Sequence, residues 1–394
     1  MNRPPRHADF VVPDVEDFDT PHALFRELRG RCPVAYANEM GGFWAVTKHE
    51  DCVRVLTEWE TFTTTVQNVV PPVATTNRRP PLHLDPPANI PYRNAILRHL
   101  KPEKIKAWEP RIREMTVRFL EPLIARGGGD ICADFSFILP IAILGEFFRI
   151  PPVDAERIRV VGAEFNMALQ AQDFDLLREK SDELYRIARD LIADRQANPQ
   201  DPDEDPTSSL LAVRVDGEPL PHDLILGALR QFLLVGIIAP TTFIASMVVH
   251  LARHPEHHSE LKAKPDLIPA AMEEMLRLYT PYRGFARTAR HDVELGGRQI
   301  RAGDALAVVF TSGNRDEDVF PDPDAYRLDR DRSDLLTFGR GPHMCPGAPL
   351  AKVQLRVVLE ELIARTDRVE LAGGIEMTRW PEYGPLKVPL KIYS

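Results

Sequence analysis

Residues 338–347 read FGRGPHMCPG, and they place Cys345 between a glycine-rich turn and a run with helical spacing that begins at Ala348. A thiolate is stabilised at a helix N-terminus, because free backbone N–H groups and the helix dipole favour negative charge there. The glycines let the backbone turn tightly and approach a flat group closely. The stretch therefore predicts a cysteine thiolate that is held ready to ligate a metal ion.

An axial thiolate suits heme iron, because it pushes electron density into the iron and favours O–O cleavage. The alternative is a buried free cysteine in a glycine-rich loop, which the position taken alone favours. The other cysteines, Cys32, Cys52 and Cys132, are widely spaced and form no CxxC pair. We interpret each of these three as a small buried apolar residue.

The complete ten-residue string decides between these alternatives. It resembles the heme-ligand signature of the cytochrome P450 family, FGxGxHxCxG, at Phe338, Gly339, Gly341, His343, Cys345 and Gly347. The resemblance implies that Cys345 ligates the iron of heme b and that the other five residues shape the heme-binding loop. The implied fold is mainly α with small β-sheets (α+β), with the heme between a long central helix and the cysteine loop.

A second motif supports the resemblance. Glu274 and Arg277 in EEMLRL match the family's ExxR pattern, although the same spacing is that of an ordinary i,i+3 ion pair on a helix surface. The string PDPDAYRLDR at 321–330 follows and is similar to the family's meander. It implies that Arg330 joins Glu274 and Arg277 in a structural network.

The resemblance also implies partners for the heme propionates. Arg93 in PYRNAIL and Arg287 in GFARTA match positions at which a guanidinium binds a propionate, and His343 is a further partner. The family often has DPPEH before the first of these arginines, whereas this chain reads DPPAN. Asn89 therefore stands at a position where a charged donor is common, and we expect it to donate without a charge.

The apolar run from about residue 223 to residue 250 predicts the long central helix, with Gly236 and Pro240 in its middle. A proline inside a helix leaves the carbonyl four residues earlier without its N–H partner, at a cost of roughly 3 kcal/mol. The family carries AGxDT or AGxET here, in a helix that opens beside the heme. When GIIAPTT is aligned on its threonines, Thr241 takes the alcohol position, Pro240 the acid and Ile238 the glycine.

We therefore expect Pro240 to break the helix and hold open a groove over the heme, with Thr241 assisting proton delivery to dioxygen. The alternative is a proline kink that serves only helix packing. The Ala-Pro-Thr string and TPYRGFART at 280–288 resemble a bacterial subgroup that includes aromatic O-dealkylases.

The walls of the substrate pocket follow from the resemblance as well. They are the loop 62–80 and the residues Phe165, Phe174, Ile237, Ile238, Gly284, Phe285 and Trp380. Several aromatic side chains and the bulk of Ile238 suit a small, flat, apolar ligand.

The resemblance thus predicts a monooxygenase that inserts one oxygen atom from O₂ into a small organic substrate, by hydroxylation or O-dealkylation, with a methoxylated or alkylated aromatic as first choice. Natural-product tailoring by hydroxylation, coupling or nitration is the alternative. A peroxide-driven peroxygenase and a heme sensor are further alternatives. Ala239 argues against the peroxygenase, because such members usually carry arginine before the proline.

Composition limits the partners. The chain has 394 residues, 44% hydrophobic and 27% charged, with a net charge of -9; the acidic balance argues against nucleic acid as the main partner. The N-terminal residues lack the apolar core of a signal peptide or a membrane anchor. We expect a cytoplasmic monomer without membrane contact, with one heme domain over residues 1–394.

We expect electrons from separate proteins, a ferredoxin and ferredoxin reductase or a flavodoxin-type donor, because the chain shows neither a ferredoxin-like cysteine cluster nor a flavin segment. The segment 93–113 is rich in Lys and Arg, including Lys101, Lys104 and Arg111. Such a run is often a solvated helix face. With Arg340 and Lys352 nearby in the implied fold, we predict a docking face for an acidic ferredoxin.

Overall fold

The computed structural model of the protein describes residues 6–13, 17–72 and 77–394. Most of these residues are helical. The helices are α1 (Thr20–Arg31), α2 (His49–Thr57), α3 (Ile90–Leu97), α4 (Pro102–Ala125), α5 (Leu139–Phe147), α6 (Pro152–Ala171), α7 (Phe174–Ala197), α8 (Pro206–Ala212), α9 (His222–Arg253), α10 (Pro255–Ala263), α11 (Ile268–Leu278), α12 (Phe310–Gly313) and α13 (Ala348–Arg365).

The strands are short. They are β1 (Val34–Ala37), β2 (Phe43–Val46), β3 (Phe62–Thr63), β4 (Gly128–Asp130), β5 (Arg214–Val215), β6 (Glu218–Pro219), β7 (Phe285–Ala289), β8 (Val293–Leu295), β9 (Arg298–Ile300), β10 (Ala305–Val308), β11 (Arg368–Leu371), β12 (Glu376–Met377), β13 (Pro385–Lys387) and β14 (Pro389–Tyr393). The main sheet has the order β1-β2-β10-β7-β3, and a smaller sheet has the order β11-β14-β4. The predicted mainly α fold with small sheets is confirmed.

The predicted break in the long helix is wrong. Helix α9 runs through Pro240 without interruption. Proline has a fixed φ close to the helical value, so it removes one hydrogen bond without requiring a non-helical backbone. Close packing holds the rest of the helix, because 78% of its most apolar stretch is buried inside the fold. Within the described residues α9 is the only helix long and apolar enough to cross a membrane, and that degree of burial is typical of a core helix.

The Gly-Gly pair at 296–297 predicts a hairpin after residue 291, and the structure contains it. Strands β8 and β9 pair antiparallel around Gly296 and Gly297, which have φ values of 52° and 72°. A two-residue hairpin turn of this kind needs positive φ at both central positions, and glycine adopts such values without strain.

Helix packing places the cysteine loop against the long helix. The largest cluster of buried apolar side chains joins α4, α5, α9, α11 and α13, and α13 also packs closely along α4. Because α13 begins directly after the loop 338–347, this packing fixes the loop on one side of a cavity whose other side is α9.

Candidate active site

The cysteine loop is held by its own backbone. The Cys345 N–H donates to the Phe338 carbonyl at 2.8 Å, and Gly339 and Gly341 have φ values of 72° and 70°. A Cβ on Gly341 would lie 2.8 Å from the Leu56 carbonyl oxygen. Gly341 is therefore required both for its left-handed backbone and for the close approach of the segment that ends α2.

The thiol of Cys345 lies at the start of α13. Burial raises its pKa, while hydrogen bonds from the backbone N–H groups of Gly347 and Ala348 and the charge of Arg93 act in the opposite direction. The donors favour the thiolate, and burial disfavours it as long as no cation neutralises the charge. The geometry is therefore that of a ligand that becomes fully ionised when it binds a metal ion.

A cavity lies between this loop and α9. Arg93, Pro240, Arg287, His343 and Cys345 all line it. Aromatic side chains supply much of its remaining surface: Phe147, Phe148, Phe232, Phe243, Tyr282, Phe285, Phe310 and Phe338. The lining thus combines one thiol, two guanidinium groups and an extended apolar wall.

The two arginines fit a ligand that carries carboxylates. Arg287 is buried, and burial lowers its pKa to about 10, with Asp85 acting against that shift. Its guanidinium donates to the Ala286 carbonyl at 2.9 Å, and burial also lowers the pKa of Arg93. Among the described residues neither arginine forms an ion pair. A thiol together with two such donors matches the iron and the two propionates of heme b, so the residues present fit this cofactor.

His343 takes part in a second polar cluster at the edge of the cavity. Its Nε2 lies 3.5 Å from Asp85 Oδ1 and 3.4 Å from the Thr64 hydroxyl. Burial alone would raise the pKa of Asp85, but hydrogen bonds from His343, Thr63 and Thr64 outweigh it and hold that pKa well below its usual range. Asp85 belongs to the DPPAN string but was not predicted as a site residue.

Asn89, predicted as a propionate donor, is buried just before α3 and does not line the cavity. Its Oδ1 has no hydrogen-bond partner among the described residues.

Glu274, Arg277 and Arg330 lie together, as the resemblance implies. Arg277 donates to both carboxylate oxygens of Glu274, at 2.7 Å and 3.0 Å, and Arg330 Nε donates to Glu274 at 3.1 Å. The side chains of Glu274 and Arg277 are fully buried. Arg277 also donates to the Pro323 carbonyl at 2.6 Å, so the group ties α11 to the segment before the cysteine loop.

The orientation of α9 differs from the expectation at Thr241. The residues that face the cavity are Val235, Gly236, Ala239, Pro240 and Phe243. The Thr241 hydroxyl instead donates to the Ser136 carbonyl at 2.9 Å. Thr241 is therefore not among the residues that line the cavity, and its hydroxyl is engaged by the segment before α5.

Three of the predicted pocket residues pack in the core instead. Phe165, Ile237 and Ile238 are buried, and Phe165 and Ile238 share an apolar cluster formed by α6, α7 and α9. Phe174, at the start of α7, is 46% exposed. None of these four residues is among those that line the cavity.

Of the three other predicted wall residues, Gly284, Phe285 and Trp380, one lines the cavity and two lie behind its lining. Phe285 lines the cavity. Gly284 is pressed against the C-terminal segment, since a Cβ there would lie 2.3 Å from Pro381. Trp380 is buried beside it and donates to the Val70 carbonyl at 2.7 Å. Gly284 and Trp380 therefore pack behind the residues that line the cavity. Residues 73–76 of the predicted loop 62–80 lie outside the described residues.

Comparison with known proteins agrees with this architecture. The profile of the family described as cytochrome P450 matches residues 165–368. Linalool 8-monooxygenase of Pseudomonas putida is 30% identical over 395 residues, which are 95% of this chain and 94% of that protein. Cyclomarin C epoxidase CymV of Salinispora arenicola is 29% identical over 89% of this chain and 90% of that protein.

The solved structures show the same fold. Cytochrome P450 CYP268A2 of Mycobacterium marinum, in complex with pseudoionone, superposes with a TM-score of 0.86 at 28% identity and covers 95% of each chain. The chain therefore belongs to the cytochrome P450 family and is a heme-thiolate oxygenase.

Proposed function

We propose that this chain is a monooxygenase that inserts one oxygen atom of O₂ into a small apolar substrate, with Cys345 as the axial ligand of heme b. The observation that carries the proposal is the thiol at the start of α13, in one cavity with Arg93 and Arg287. When bound, the heme supplies the iron at which dioxygen is activated. The residues of the chain hold the cofactor, exclude water and position the substrate.

The apolar wall supports a planar or aromatic substrate. Phe232, Tyr282, Phe285 and Phe310 line the cavity, and aromatic side chains pack well against flat apolar ligands through offset and edge-to-face contacts. Hydroxylation or O-dealkylation of an alkylated or methoxylated aromatic is the reaction we propose first.

Oxidation of a terpenoid or another natural product is the second candidate. It is favoured by the relatives, one of which is named for linalool and another for cyclomarin C. An aromatic wall also accommodates the alkenes of such compounds.

Proton delivery cannot rely on an acidic side chain of α9 in this chain. Ala239 and Pro240 occupy the cavity side of the helix, and neither side chain carries a proton donor. Pro240 has no N–H, so the Gly236 carbonyl lacks its intrahelical donor. We infer that this carbonyl accepts a hydrogen bond from water in the cavity and thereby orders the water that delivers protons.

We propose that electrons arrive from a separate redox protein at the face beside the cysteine loop. Most cations of the predicted docking segment are neutralised within the fold: Arg111 pairs with Glu114 and Glu146, both at 2.5 Å, and Lys104 lies 3.8 Å from Glu204. Lys101 and Lys106 form no ion pair among the described residues. The proposed docking charge therefore rests on these two lysines.

One experiment tests the reaction class. The purified, heme-loaded protein is supplied with a surrogate ferredoxin and ferredoxin reductase, NAD(P)H and isotopically labelled O₂, together with alkoxybenzenes or with linalool. We expect one labelled oxygen atom per molecule of hydroxylated product, or per molecule of aldehyde released by dealkylation before exchange with water. Heme reduction and oxygen consumption without an oxidised organic product from either class would contradict the proposal.

A further inference from the structure

Two arginines, one on α9 and one in the segment before α3, are buried and have no acid to pair with among the described residues. Arg230 of α9 is fully buried, with 0% of its surface exposed, and Arg79 of the segment before α3 is 4% exposed. Among the described residues neither guanidinium forms an ion pair. Asp182 is the acid whose charge acts on Arg230, and its side chain is exposed.

The hydrogen-bond donors of these arginines are largely unused. Arg230 Nη2 donates to the Ser181 hydroxyl at 3.0 Å, whereas its Nε and Nη1 have no partner among the described residues. The Arg79 Nε and the hydroxyl of Tyr185 are likewise without partners there. Phe165 and Tyr185 lie against the Arg230 guanidinium, with ring centroids at 5.0 Å and 5.8 Å.

The four donors belong to one cluster. The charge of Arg79 lowers the pKa of Arg230 further, after the larger effect of burial. The Arg79 guanidinium also lies 3.3 Å from His83 Nε2. Burial, followed by the charges of Arg79 and Arg230, lowers the pKa of His83 to about 3, so His83 is neutral and adds no charge that could offset the arginines.

Such an arrangement is costly unless an anion completes it. A buried charge without a partner is strongly unfavourable, and buried polar groups are nearly always hydrogen-bonded. A cluster of two guanidinium groups and a phenol with unused donors therefore has the charge and the hydrogen-bonding groups of a receptor for a carboxylate.

The cluster lies next to residues that line the cavity, although Arg79 and Arg230 are not themselves among the lining residues. Pro81 and Leu82, in the same segment as Arg79, line the cavity, and so do Gln231 and Phe232, which follow Arg230 on α9. The segment is held against α9 at Gly227, where a Cβ would lie 2.0 Å from the Arg78 carbonyl oxygen. The close contact fixes Arg79 beside Arg230.

We propose that Arg230 and Arg79 form a subsite that binds the carboxylate of the substrate, so that the oxidised molecule is an elongated apolar acid. This inference rests on the proposed monooxygenase function and specifies its substrate class. Arg230 precedes Gly236 by six residues, which corresponds to about 9 Å along the helix axis. With the oxidised carbon level with Gly236, the carboxylate and that carbon would be on the order of 9 Å apart, with an aromatic or alkyl body between them.

The alternative carboxylate receptor, Arg283, is engaged elsewhere. Its guanidinium donates to the Glu382 carbonyl at 2.9 Å and 2.6 Å. Arg93 and Arg287 lie on the side of the cavity next to the cysteine loop, where the heme propionates are expected. Arg79 and Arg230 are thus the pair that remains for a substrate anion.

The test uses ω-phenylalkanoic acids of increasing chain length, each compared with its methyl ester and its primary amide, and inorganic phosphate. Binding to the heme-loaded protein is followed by the spectral shift of the heme and independently by the rise in melting temperature. We expect the longer acids to bind about 10- to 150-fold more tightly than their amides, which is the contribution of a hydrogen bond to a charged group. We expect no comparable rise in melting temperature with phosphate.

The variants are Arg230→Met and Arg79→Met, with Arg78→Gln as matched control, because Arg78 is the exposed neighbour in the same segment. Each methionine variant should lose the preference for the acid, and the control should keep it. Without ligand, Arg230→Met should melt no lower than the parent, since it removes a buried unpaired charge. Arg230→Lys keeps a charge and should retain part of the preference if the methionine variant does not fold.

Equal affinity for acids, esters and amides in a protein that shows the thiolate-type carbon monoxide spectrum would overturn the carboxylate subsite and leave the monooxygenase proposal intact. A preference for acids that survives in both methionine variants would overturn it as well, as would stabilisation by phosphate alone. Loss of the thiolate-type spectrum in the parent protein would instead contradict the proposed function.

Discussion

The hydroxyl of Thr241 donates a hydrogen bond to the carbonyl of Ser136 at 2.9 Å, and this contact turns the threonine away from the cavity. Pro240, one residue earlier, faces the cavity. The pair defines the rotation of α9 about its axis and decides which side chains can act on the substrate. In this chain Ala239 and Pro240 line the cavity at this point of α9, and no acid or alcohol side chain of α9 is among the lining residues.

The first prediction concerns Thr241. Thr241→Val should leave the yield of product per O₂ consumed unchanged, because the hydroxyl does not reach the cavity. It should lower the free energy of unfolding by about 1–3 kcal/mol, since the buried Ser136 carbonyl loses its donor. The ratio of product formed to O₂ consumed checks the yield, and urea unfolding checks the stability. A fall in the ratio toward peroxide release without a change in stability would show that Thr241 acts on dioxygen.

Pro240 allows the complementary test. Pro240→Ala returns an N–H to the Gly236 carbonyl, which should stabilise the helix and remove an acceptor for water, so that more of the consumed O₂ is released as peroxide. Pro240→Thr restores the same bond but places a hydroxyl on the cavity side. General acid assistance is typically worth roughly 10²- to 10⁴-fold, so the threonine variant should yield more product per O₂ than the alanine variant. Equal product-to-O₂ ratios in the parent and in both variants would show that neither the water at the Gly236 carbonyl nor the introduced hydroxyl contributes to proton delivery.

The third prediction concerns cofactor retention. Arg287→Met removes a buried guanidinium that has no ion pair among the described residues, and it should accelerate transfer of heme to a scavenger protein by about 10- to 150-fold. Arg301→Met, at an exposed position in the same half of the chain, is the control and should transfer heme at the parental rate. Parental retention in Arg287→Met would remove this residue from the cofactor site.

The pH dependence of stability should reveal Glu382. Burial raises its pKa to about 7, against a hydrogen bond from Gln170 that lowers it. Because the folded protein holds the proton more tightly than the unfolded chain, the stabilisation is complete below about pH 4.5 and is lost as the pH rises to about 7, on the order of 3 kcal/mol in total. Glu382→Gln should flatten this part of the stability profile. Glu376→Gln, at an exposed position, is the control and should leave this part of the profile unchanged. Identical stability profiles for the parent and Glu382→Gln would contradict the raised pKa of Glu382.

Much of the fold could be predicted from the sequence because the deciding motifs are local. The loop 338–347 has a fixed spacing, and Glu274 and Arg277 are three residues apart on one helix. Arg330 is far along the chain from Glu274, and only the resemblance of the string around it suggested the contact that the structure contains. The hairpin at Gly296 and Gly297 followed from turn chemistry alone.

The orientation of α9 could not be predicted in the same way. The helix is buried on nearly all sides, so its apolar residues do not mark one face. Successive residues are about 100° apart around a helix, so an alignment on the threonines alone did not show that Ile237, Ile238 and Thr241 lie outside the cavity lining. The buried pair Arg79 and Arg230 was missed because nothing local in the sequence shows that two distant arginines lack acids in the folded protein.

Axial ligation by Cys345 is the central claim, and the ferrous carbon monoxide spectrum tests it most directly. The parent protein should show the strongly red-shifted Soret band that thiolate ligation gives, and Cys32→Ala should retain it. Cys345→His should bind heme and lose that band in favour of the spectrum of an imidazole-ligated heme. Persistence of the red-shifted band in Cys345→His, or its absence from the parent, would contradict the account.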